Sequence, residues 1–265
     1  MNRELQPGSV SLLMEGAIAF VRLRNPSKFN AMSRAMWLQL KAAFQEIQNS
    51  RVRCVLVAGE GAHFCAGDDI SEYPSFRFDA QQLAHFHERE VWGGLSAMLN
   101  CDVPVVAAIA GNCMGAGVEI ASCCDVRVAG ESARFGAPIA RLGFPMAPRE
   151  AGLVSSALGA NVARAMLLAA EIFPAGRLQD SGFLTRVVAD ADIETQSIDL
   201  AKLIAALAPE AAKMNKQTLR MATLVADAQT YAYADSLEHR EGISAFLDKR
   251  KPDFGLDETY YASTS

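Results

Sequence analysis

The chain has no excess of positive charge and no long apolar run. Its 265 residues include 25 Lys and Arg against 30 Asp and Glu, which gives a formal net charge of −5. Nucleic acids and anionic membranes bind concentrated basic surfaces, so neither is an expected partner. The longest apolar run, residues 103–110, contains Pro104 and is far too short to span a bilayer. The opening segment MNRELQPGSV lacks the apolar centre of a secretory signal.

The motifs of several common enzyme classes are also missing. The sequence contains no G-x-S-x-G, no G-x-x-x-x-G-K-[ST] and no G-x-G-x-x-G. The 6 cysteines form no C-x-x-C pair and stand mostly in apolar runs, which predicts buried free thiols in a reducing, cytoplasmic compartment. His85 and His87 are two residues apart and cannot share a helix face, while His63 and His239 stand alone. We therefore expect packed or solvated histidines and no metal site.

Short apolar runs alternate with amphipathic stretches along most of the chain. Runs 10–15 and 17–23, separated by Gly16, predict a hairpin, and Ser33 predicts the start of a helix that ends near residue 49. Further strands are expected at 52–58, 103–110, 126–129 and 184–188, further helices at 81–99, 118–124 and 149–170, and only helices after about residue 192, the last near 236–249. This recurring strand–loop–helix order predicts an α/β fold.

Two loops of small residues each follow a predicted buried strand and lead into a helix: CAGDD at 65–69 and GNCMGAG at 111–117. Small residues let a ligand approach the backbone, and N–H groups at a helix start have no intrahelical acceptor. Such groups can stabilise a developing oxyanion, although two ordinary tight turns are the alternative. Glu119 lies three residues after Ala116 and so on the same side of the helix. Its carboxylate would act there as an acid or base, or would only complement the helix dipole.

Five segments, in the same order, resemble those of the crotonase (enoyl-CoA hydratase/isomerase) superfamily over nearly the whole chain. RNPSKFNAM at 24–32 resembles the family's R-P-x-x-x-N-A segment, and HFCAGDDI at 63–70 resembles its F-x-A-G-x-D-[IL] loop. Residues 103–130 are similar to the second oxyanion loop and its following glutamate and Cys-Asp pair. ARFGAP at 133–138 and HREGISAFLDKRKPDF at 239–254 match the family's F-G-x-P run and C-terminal segment.

The resemblance implies a fold, a substrate and roles for particular residues. The fold would be a crotonase-type spiral of repeated β-β-α turns, with a core at 1–195 and a C-terminal helical trimerisation region at 196–265. The substrate would be an acyl-CoA thioester of fatty acid metabolism, with no cofactor beyond its own coenzyme A, and the assembly a homotrimer or a dimer of trimers. The N–H groups of Asp68 and Ala116 would hold the thioester oxygen, with Glu119 as acid/base.

The same resemblance gives a set of residues expected to contact the substrate or its coenzyme A. They are Arg24, Lys28, Phe29, Ala31, Ala66, Asp69, Ile70, Gly115, Phe246 and Lys249. Phe246 and Lys249 would contact the adenine and a phosphate, often across a trimer interface.

One position departs from the family pattern. A hydratase usually carries a second glutamate directly after the Pro of F-G-x-P, where this chain has Ile139. Glu150 could enter the site from another direction, although an exposed helix-start glutamate is the simpler interpretation. Asp69 is expected to cap the following helix, and Asp68 to act through its N–H. The sequence predicts a hydratase of 2-enoyl-CoA; isomerisation, decarboxylation, thioester hydrolysis and a non-catalytic acyl-CoA-binding role stay open.

Overall fold

A computed structural model describes residues 7–220, 234 and 236–254 of the chain. The strands are β1 Ser9–Glu15, β2 Ile18–Arg24, β3 Cys54–Gly59, β4 Val105–Ile109, β5 Asn112–Met114, β6 Val126–Gly130, β7 Arg134–Gly136, β8 Phe173–Pro174 and β9 Arg186–Val188. The helices are α1 Arg34–Gln48, α2 Ala80–His85, α3 Trp92–Asn100, α4 Ala116–Cys123, α5 Pro148–Leu158, α6 Ala160–Leu168, α7 Ala175–Asp180, α8 Ile193–Ala205, α9 Pro209–Arg220 and α10 Leu237–Leu247. A 3-10 helix, Ile70–Ser75, precedes α2, and a π-helical segment, Phe86–Val91, joins α2 to α3.

Within this described part of the chain the strands form two sheets. The main sheet has the order β1-β2-β3-β4-β6-β9, and a smaller sheet has the order β5-β7-β8. β1 and β2 form the predicted antiparallel hairpin, whereas β2, β3, β4, β6 and β9 run parallel to one another. The α/β class expected from the sequence is confirmed.

Successive turns of the chain repeat one pattern. β4 joins the main sheet, β5 joins the small sheet, and α4 follows; β6 and β7 then take the corresponding places in the two sheets before α5. In the turn that begins with β3, an isolated bridge between Cys65 and Cys113 stands where later turns have a short strand. Each turn therefore carries the chain from the main sheet to the small sheet and then into a helix.

The main sheet is buried on both faces, as parallel sheets usually are. Along β3, Val55 and Val57 face the larger core with α1, α3 and α4, while Cys54, Leu56 and Ala58 face a second core beneath α8. This burial on both faces explains why the β3 sequence is a continuous apolar run and does not alternate between apolar and polar residues. The predicted division at residue 195 falls inside α8; the trimerisation role of the part that follows stays a prediction.

Two predicted helices differ in detail from the structure. The helix expected at 81–99 is interrupted by the π-helical segment Phe86–Val91, and the helix expected at 149–170 ends at Leu158 and restarts after Gly159. Other expectations hold: Ser33 caps α1, its hydroxyl accepting a hydrogen bond from the Met36 N–H, and all 6 cysteines are buried and free of disulfides. In residues 7–220, 234 and 236–254, no helix has the length and apolar character needed to cross a membrane.

Candidate active site

The two loops of small residues meet at their glycines. The Met114 N–H donates to the Cys65 carbonyl at 2.8 Å, which ties the second loop to the first. Gly67 and Gly115 have φ of +110° and +48°, a backbone conformation that residues with a Cβ rarely adopt. A Cβ on Gly115 would lie 3.5 Å from the Gly67 Cα. The glycines therefore let the two loops turn sharply at the point where they touch.

This arrangement leaves the two predicted oxyanion donors free. Ala116 is the first residue of α4, so its N–H has no intrahelical acceptor. Neither the Asp68 N–H nor the Ala116 N–H donates to an acceptor within the described residues. Both residues line a cavity of about 220 Å³, here called the inner cavity, which Glu119 and Glu150 also line. The structure thus brings together all three residues expected to be catalytic.

Glu119 is buried on the first turn of α4. Only 5% of its surface is exposed, and its Oε2 atom has no hydrogen-bond partner among the residues the structure describes. Burial raises the pKa of Glu119 well above its ordinary value, and the nearby charges of Glu150 and Asp68 raise it further. A buried carboxyl group without a protein partner at the wall of a cavity is available to a ligand or a water molecule.

Glu150 is not the exposed helix-start glutamate that the sequence favoured. It lies in the first turn of α5 with 3% of its surface exposed, and its Oε1 is hydrogen-bonded to the His87 Nδ1 at 2.8 Å. His87 also lines the inner cavity, so it is neither a solvated histidine nor one packed away from the site. Ile139 lines the same cavity, and Glu150 supplies a second carboxylate that Ile139 cannot.

The sequence predicts a role for Asp68 only through its N–H, but its partly buried side chain is also held by hydrogen bonds. The Trp37 Nε1–H donates to its Oδ1 at 2.9 Å, and the Tyr73 hydroxyl donates to its Oδ2 at 3.2 Å. Burial raises the pKa of Asp68 to about 6, although both hydrogen bonds favour the ionised form, and the charge of Glu150 raises it further. These bonds fix the loop that carries Asp68 at the wall of the cavity. A hydrophilic residue within a Gly-Asp-Asp run gives no sequence signal for such burial.

The other predicted contact residues lie in different places. Ala66, Ile70 and Gly115 line the inner cavity. Asp69 caps the 3-10 helix as expected, its carboxylate accepting from the Ser71 N–H, and it also accepts from the Lys28 Nζ at 2.6 Å.

Arg24, Phe29 and Ala31 do not line the inner cavity. Arg24 pairs with Glu60, Phe29 is exposed and edge-on to His63, and Ala31 is buried. Phe246 and Lys249, at the end of α10, are exposed and do not line this cavity either. Their coenzyme A contacts stay predictions.

Comparison with known proteins identifies the family. A model of the enoyl-CoA hydratase/isomerase family matches residues 14–257. The chain belongs to this family, so it is an enoyl-CoA hydratase/isomerase family enzyme with the crotonase fold, and the resemblance found in the sequence is confirmed.

Particular relatives span nearly the same length. The crystal structure of an enoyl-CoA hydratase/carnithine racemase from Magnetospirillum magneticum superposes with a TM-score of 0.88 at 34% identity, covering 94% of this chain and 96% of that one. The 2,3-dehydroadipyl-CoA hydratase of Escherichia coli K12 is 33% identical over 248 residues, covering 89% of this chain and 94% of the relative. The short-chain-enoyl-CoA hydratase of Clostridium acetobutylicum is 28% identical over 257 residues, covering 93% and 97%.

Proposed function

We propose that this enzyme adds water to the double bond of a 2-enoyl-CoA thioester. The thioester oxygen would accept hydrogen bonds from the N–H groups of Asp68 and Ala116, which stabilise the enolate formed when water adds. The hydroxyl of water bonds to Cβ, and a proton is delivered to Cα, so the product is the 3-hydroxyacyl-CoA. The reaction needs no metal or redox cofactor; coenzyme A takes part as a portion of the substrate.

The observation that carries this proposal is the presence of two unpaired N–H groups and two carboxyl groups around one cavity. Hydration requires one proton removed from water and one delivered to carbon, and two positioned carboxyl groups can divide that work. Glu119 and Glu150 have unequal surroundings: Glu119 Oε2 lacks a partner, whereas Glu150 is bonded to His87. Two relatives named as hydratases, from E. coli and C. acetobutylicum, favour hydration over the other reactions of the family.

We assign the proton delivery to Glu119 and the activation of water to Glu150. The raised pKa of Glu119 favours its protonated form, which can donate a proton to Cα. Glu150, oriented by His87, would then accept a proton from the attacking water. Each carboxyl group would change roles in the reverse dehydration.

The test is hydration of crotonyl-CoA, followed by the loss of enoyl-thioester absorbance, in the wild type and in Glu119→Gln and Glu150→Gln. Each substitution keeps the shape and removes an acid/base, so we expect kcat to fall by roughly 10²–10⁴ in both. Glu46→Gln, on the exposed face of α1, is the matched control and should retain wild-type kcat.

Two outcomes would overturn the proposal in different ways. Exchange of Cα deuterium or migration of a 3-enoyl double bond, without net addition of water, would make the enzyme an isomerase. Binding of acyl-CoA by the wild type without turnover of any 2-enoyl or 3-enoyl thioester would favour a non-catalytic acyl-CoA-binding role. Full activity of Glu150→Gln would leave the hydratase assignment intact, but it would show that Glu119 alone serves as both acid and base.

A further inference from the structure

A second cavity lies beside the inner one and shares part of its wall. This outer cavity has a volume of about 800 Å³, and Ile70, Tyr73, His87, Phe144 and Met146 line both. The remainder of its wall is mainly apolar. Because the two cavities share these side chains, an acyl chain held by its thioester in the inner cavity can extend into the outer one.

One cation interrupts this apolar wall. Arg77 lines the outer cavity with its guanidinium carbon 3.7 Å from the centre of the Phe144 ring and 4.4 Å from that of Tyr73. Such stacking holds a guanidinium flat against an aromatic surface and leaves its N–H groups pointing along the edge. Arg77 is therefore fixed in the wall by packing rather than by a carboxylate.

One nitrogen of the Arg77 guanidinium is buried without a hydrogen-bond partner among the described residues. This atom, Nη1, is inaccessible to solvent. Nearby arginines are paired: Arg34 with Glu90, and Arg149 with Glu88. A buried, unpaired donor costs about 1–3 kcal/mol, more when it is charged, so its presence beside a cavity calls for an explanation, and a function is one of those known.

From these observations we infer that the acyl group of the substrate carries a carboxylate at the end remote from the thioester, and that Arg77 binds it. The planar guanidinium presents paired N–H donors that can form two hydrogen bonds with a carboxylate, whereas an alkyl terminus offers them no acceptor. A neutral chain filling the same apolar space would offer the Arg77 guanidinium no hydrogen-bond acceptor, which disfavours it. Arg77 is on this argument a specificity-determining residue of the acyl site.

Contact with coenzyme A is a weaker explanation for Arg77. The residues expected to contact coenzyme A near the N-terminus, Arg24, Lys28, Phe29 and Ala31, do not line the outer cavity. The inference rests on the proposed function only for the position of the thioester. Binding of unreactive ligands can therefore test it apart from catalysis.

The experiment measures the Kd of saturated acyl-CoA thioesters by calorimetry: adipyl-CoA, suberyl-CoA and the monomethyl ester of each. The acid and its ester have nearly the same length and differ in charge. For one of the two lengths we expect the wild type to bind the acid at least about tenfold more tightly than the ester, as a charged hydrogen-bonded pair would require. Arg77→Met should bring this ratio close to one, and Arg77→Lys should keep part of it.

Arg149→Met is the matched control variant. It also removes a guanidinium stacked on an aromatic ring, that of Trp92, but Arg149 lines neither cavity. It should keep the wild-type ratio of acid to ester. Retained binding of the esters by Arg77→Met would show that this variant is folded.

Three results would overturn the inference: a wild-type ratio near one at both lengths, a ratio that survives in Arg77→Met, or equal weakening of acid and ester in that variant. The last result would place Arg77 against coenzyme A. Turnover of the corresponding 2-enoyl thioesters is measured separately. If binding discriminates through Arg77 but no thioester is hydrated, the proposed hydratase function fails while the carboxylate site stands.

Discussion

The contact between His87 and Glu150 joins the π-helical segment to the first turn of α5 at the wall of the inner cavity. With its Oε1 held at 2.8 Å from the His87 Nδ1, the Glu150 carboxyl group has a fixed orientation. We treat His87 as a positioning residue, since it acts on the proposed chemistry through Glu150. Misplacement of a catalytic group by about 1 Å can cost roughly a hundredfold in rate.

We therefore expect His87→Phe to lower kcat by about tenfold to a hundredfold with a smaller change in KM. His85→Phe is the control: His85 is two residues away and its side chain is 61% exposed. Equal losses in both variants would mean that the substitutions act on the helix rather than on Glu150.

Asp68 and Asp69 are neighbours with opposite pKa shifts. The two shifts have opposite effects on how the free energy of unfolding depends on pH, and this can be measured. Burial raises the pKa of Asp68 from 3.8 to about 6. For Asp69 burial also acts to raise the pKa, but hydrogen bonds from Lys28 and Ser71 outweigh it and lower the pKa below its ordinary value. Between pH 4 and 6 the folded protein holds the Asp68 proton more tightly than the unfolded chain does.

Raising the pH through that window should therefore destabilise the wild type relative to Asp68→Asn, by about 1–3 kcal/mol at pH 7. Asp69 has the opposite sign: its contribution to stability is present above its unfolded pKa and is lost as pH falls. Asp69→Asn should thus lose stability at pH 7 and approach the wild type in acid. Urea unfolding of the three proteins at pH 2, 3, 4, 5, 6 and 7 tests both, since the Asp69 contribution is lost only below pH 3.8. Parallel profiles of the wild type and Asp68→Asn between pH 4 and 7 would contradict the raised pKa of Asp68.

The regular elements could be predicted from sequence to the extent that a local pattern specifies them. α1 has a capping serine and a clear helical repeat, and β3 is a continuous apolar run between turn residues, so both fall close to their expected bounds. β5, β7 and β8 have at most 3 residues each, too few to show any period, so their small sheet was missed. The loops that carry Asp68 and Ala116 could be identified because their small residues are contiguous.

The Glu150–His87 pair could not be found from local pattern. The two residues are separated by 63 positions, and the helical repeat of one segment does not say which residue of the other segment it meets. The π-helical segment at Phe86–Val91 changes the register of side chains that an unbroken helix at 81–99 would present. What brings His87 to Glu150 is the packing of two elements, and packing is not visible in either element's sequence.

The approach of α4 to the first loop depends on Gly117. A Cβ there would lie 2.8 Å from the Cys65 carbonyl oxygen, closer than real contacts allow, and 3.0 Å from the Cys65 Cβ, which is also tight. Because a backbone atom cannot yield as a flexible side chain does, Gly117→Ala should push α4 away from the loop. The two N–H donors at Asp68 and Ala116 would then move apart.

We expect Gly117→Ala to destabilise the protein by about 1–3 kcal/mol and to lower kcat/KM by at least tenfold. Gly152→Ala, in the exposed part of α5, meets nothing within 4 Å and should instead stabilise by about 0.5–1 kcal/mol, as Ala does over Gly in a helix interior. Thermal unfolding and steady-state kinetics of both variants are the measurement. Unchanged kcat/KM in Gly117→Ala would show that catalysis tolerates a larger distance between the N–H donors of Asp68 and Ala116.

At the scale of the whole molecule, α10 exposes several large apolar side chains in the part of the chain that the structure describes. Leu237, Ile243, Phe246 and Leu247 are 61%, 54%, 82% and 71% exposed. A cluster of this kind on a surface helix marks an interaction surface, and copies of one chain most often meet in closed symmetric assemblies. The family resemblance also assigns Phe246 and Lys249 to coenzyme A across a trimer interface, which would explain why neither lines the inner or the outer cavity.

We therefore predict a homotrimer or a dimer of trimers in solution, with the ligand site completed by a neighbouring α10. Phe246→Asp should lower the mass measured by light scattering from three or six chains of 28.5 kDa towards one, and should weaken binding of coenzyme A. Ser244→Asp adds the same charge at an exposed polar position of the same helix and should change neither. A wild-type monomer that binds coenzyme A as tightly as its Phe246→Asp variant would refute both parts. Loss of binding in a variant that keeps its assembly would separate them, because Phe246 would then contact the ligand without holding the copies together.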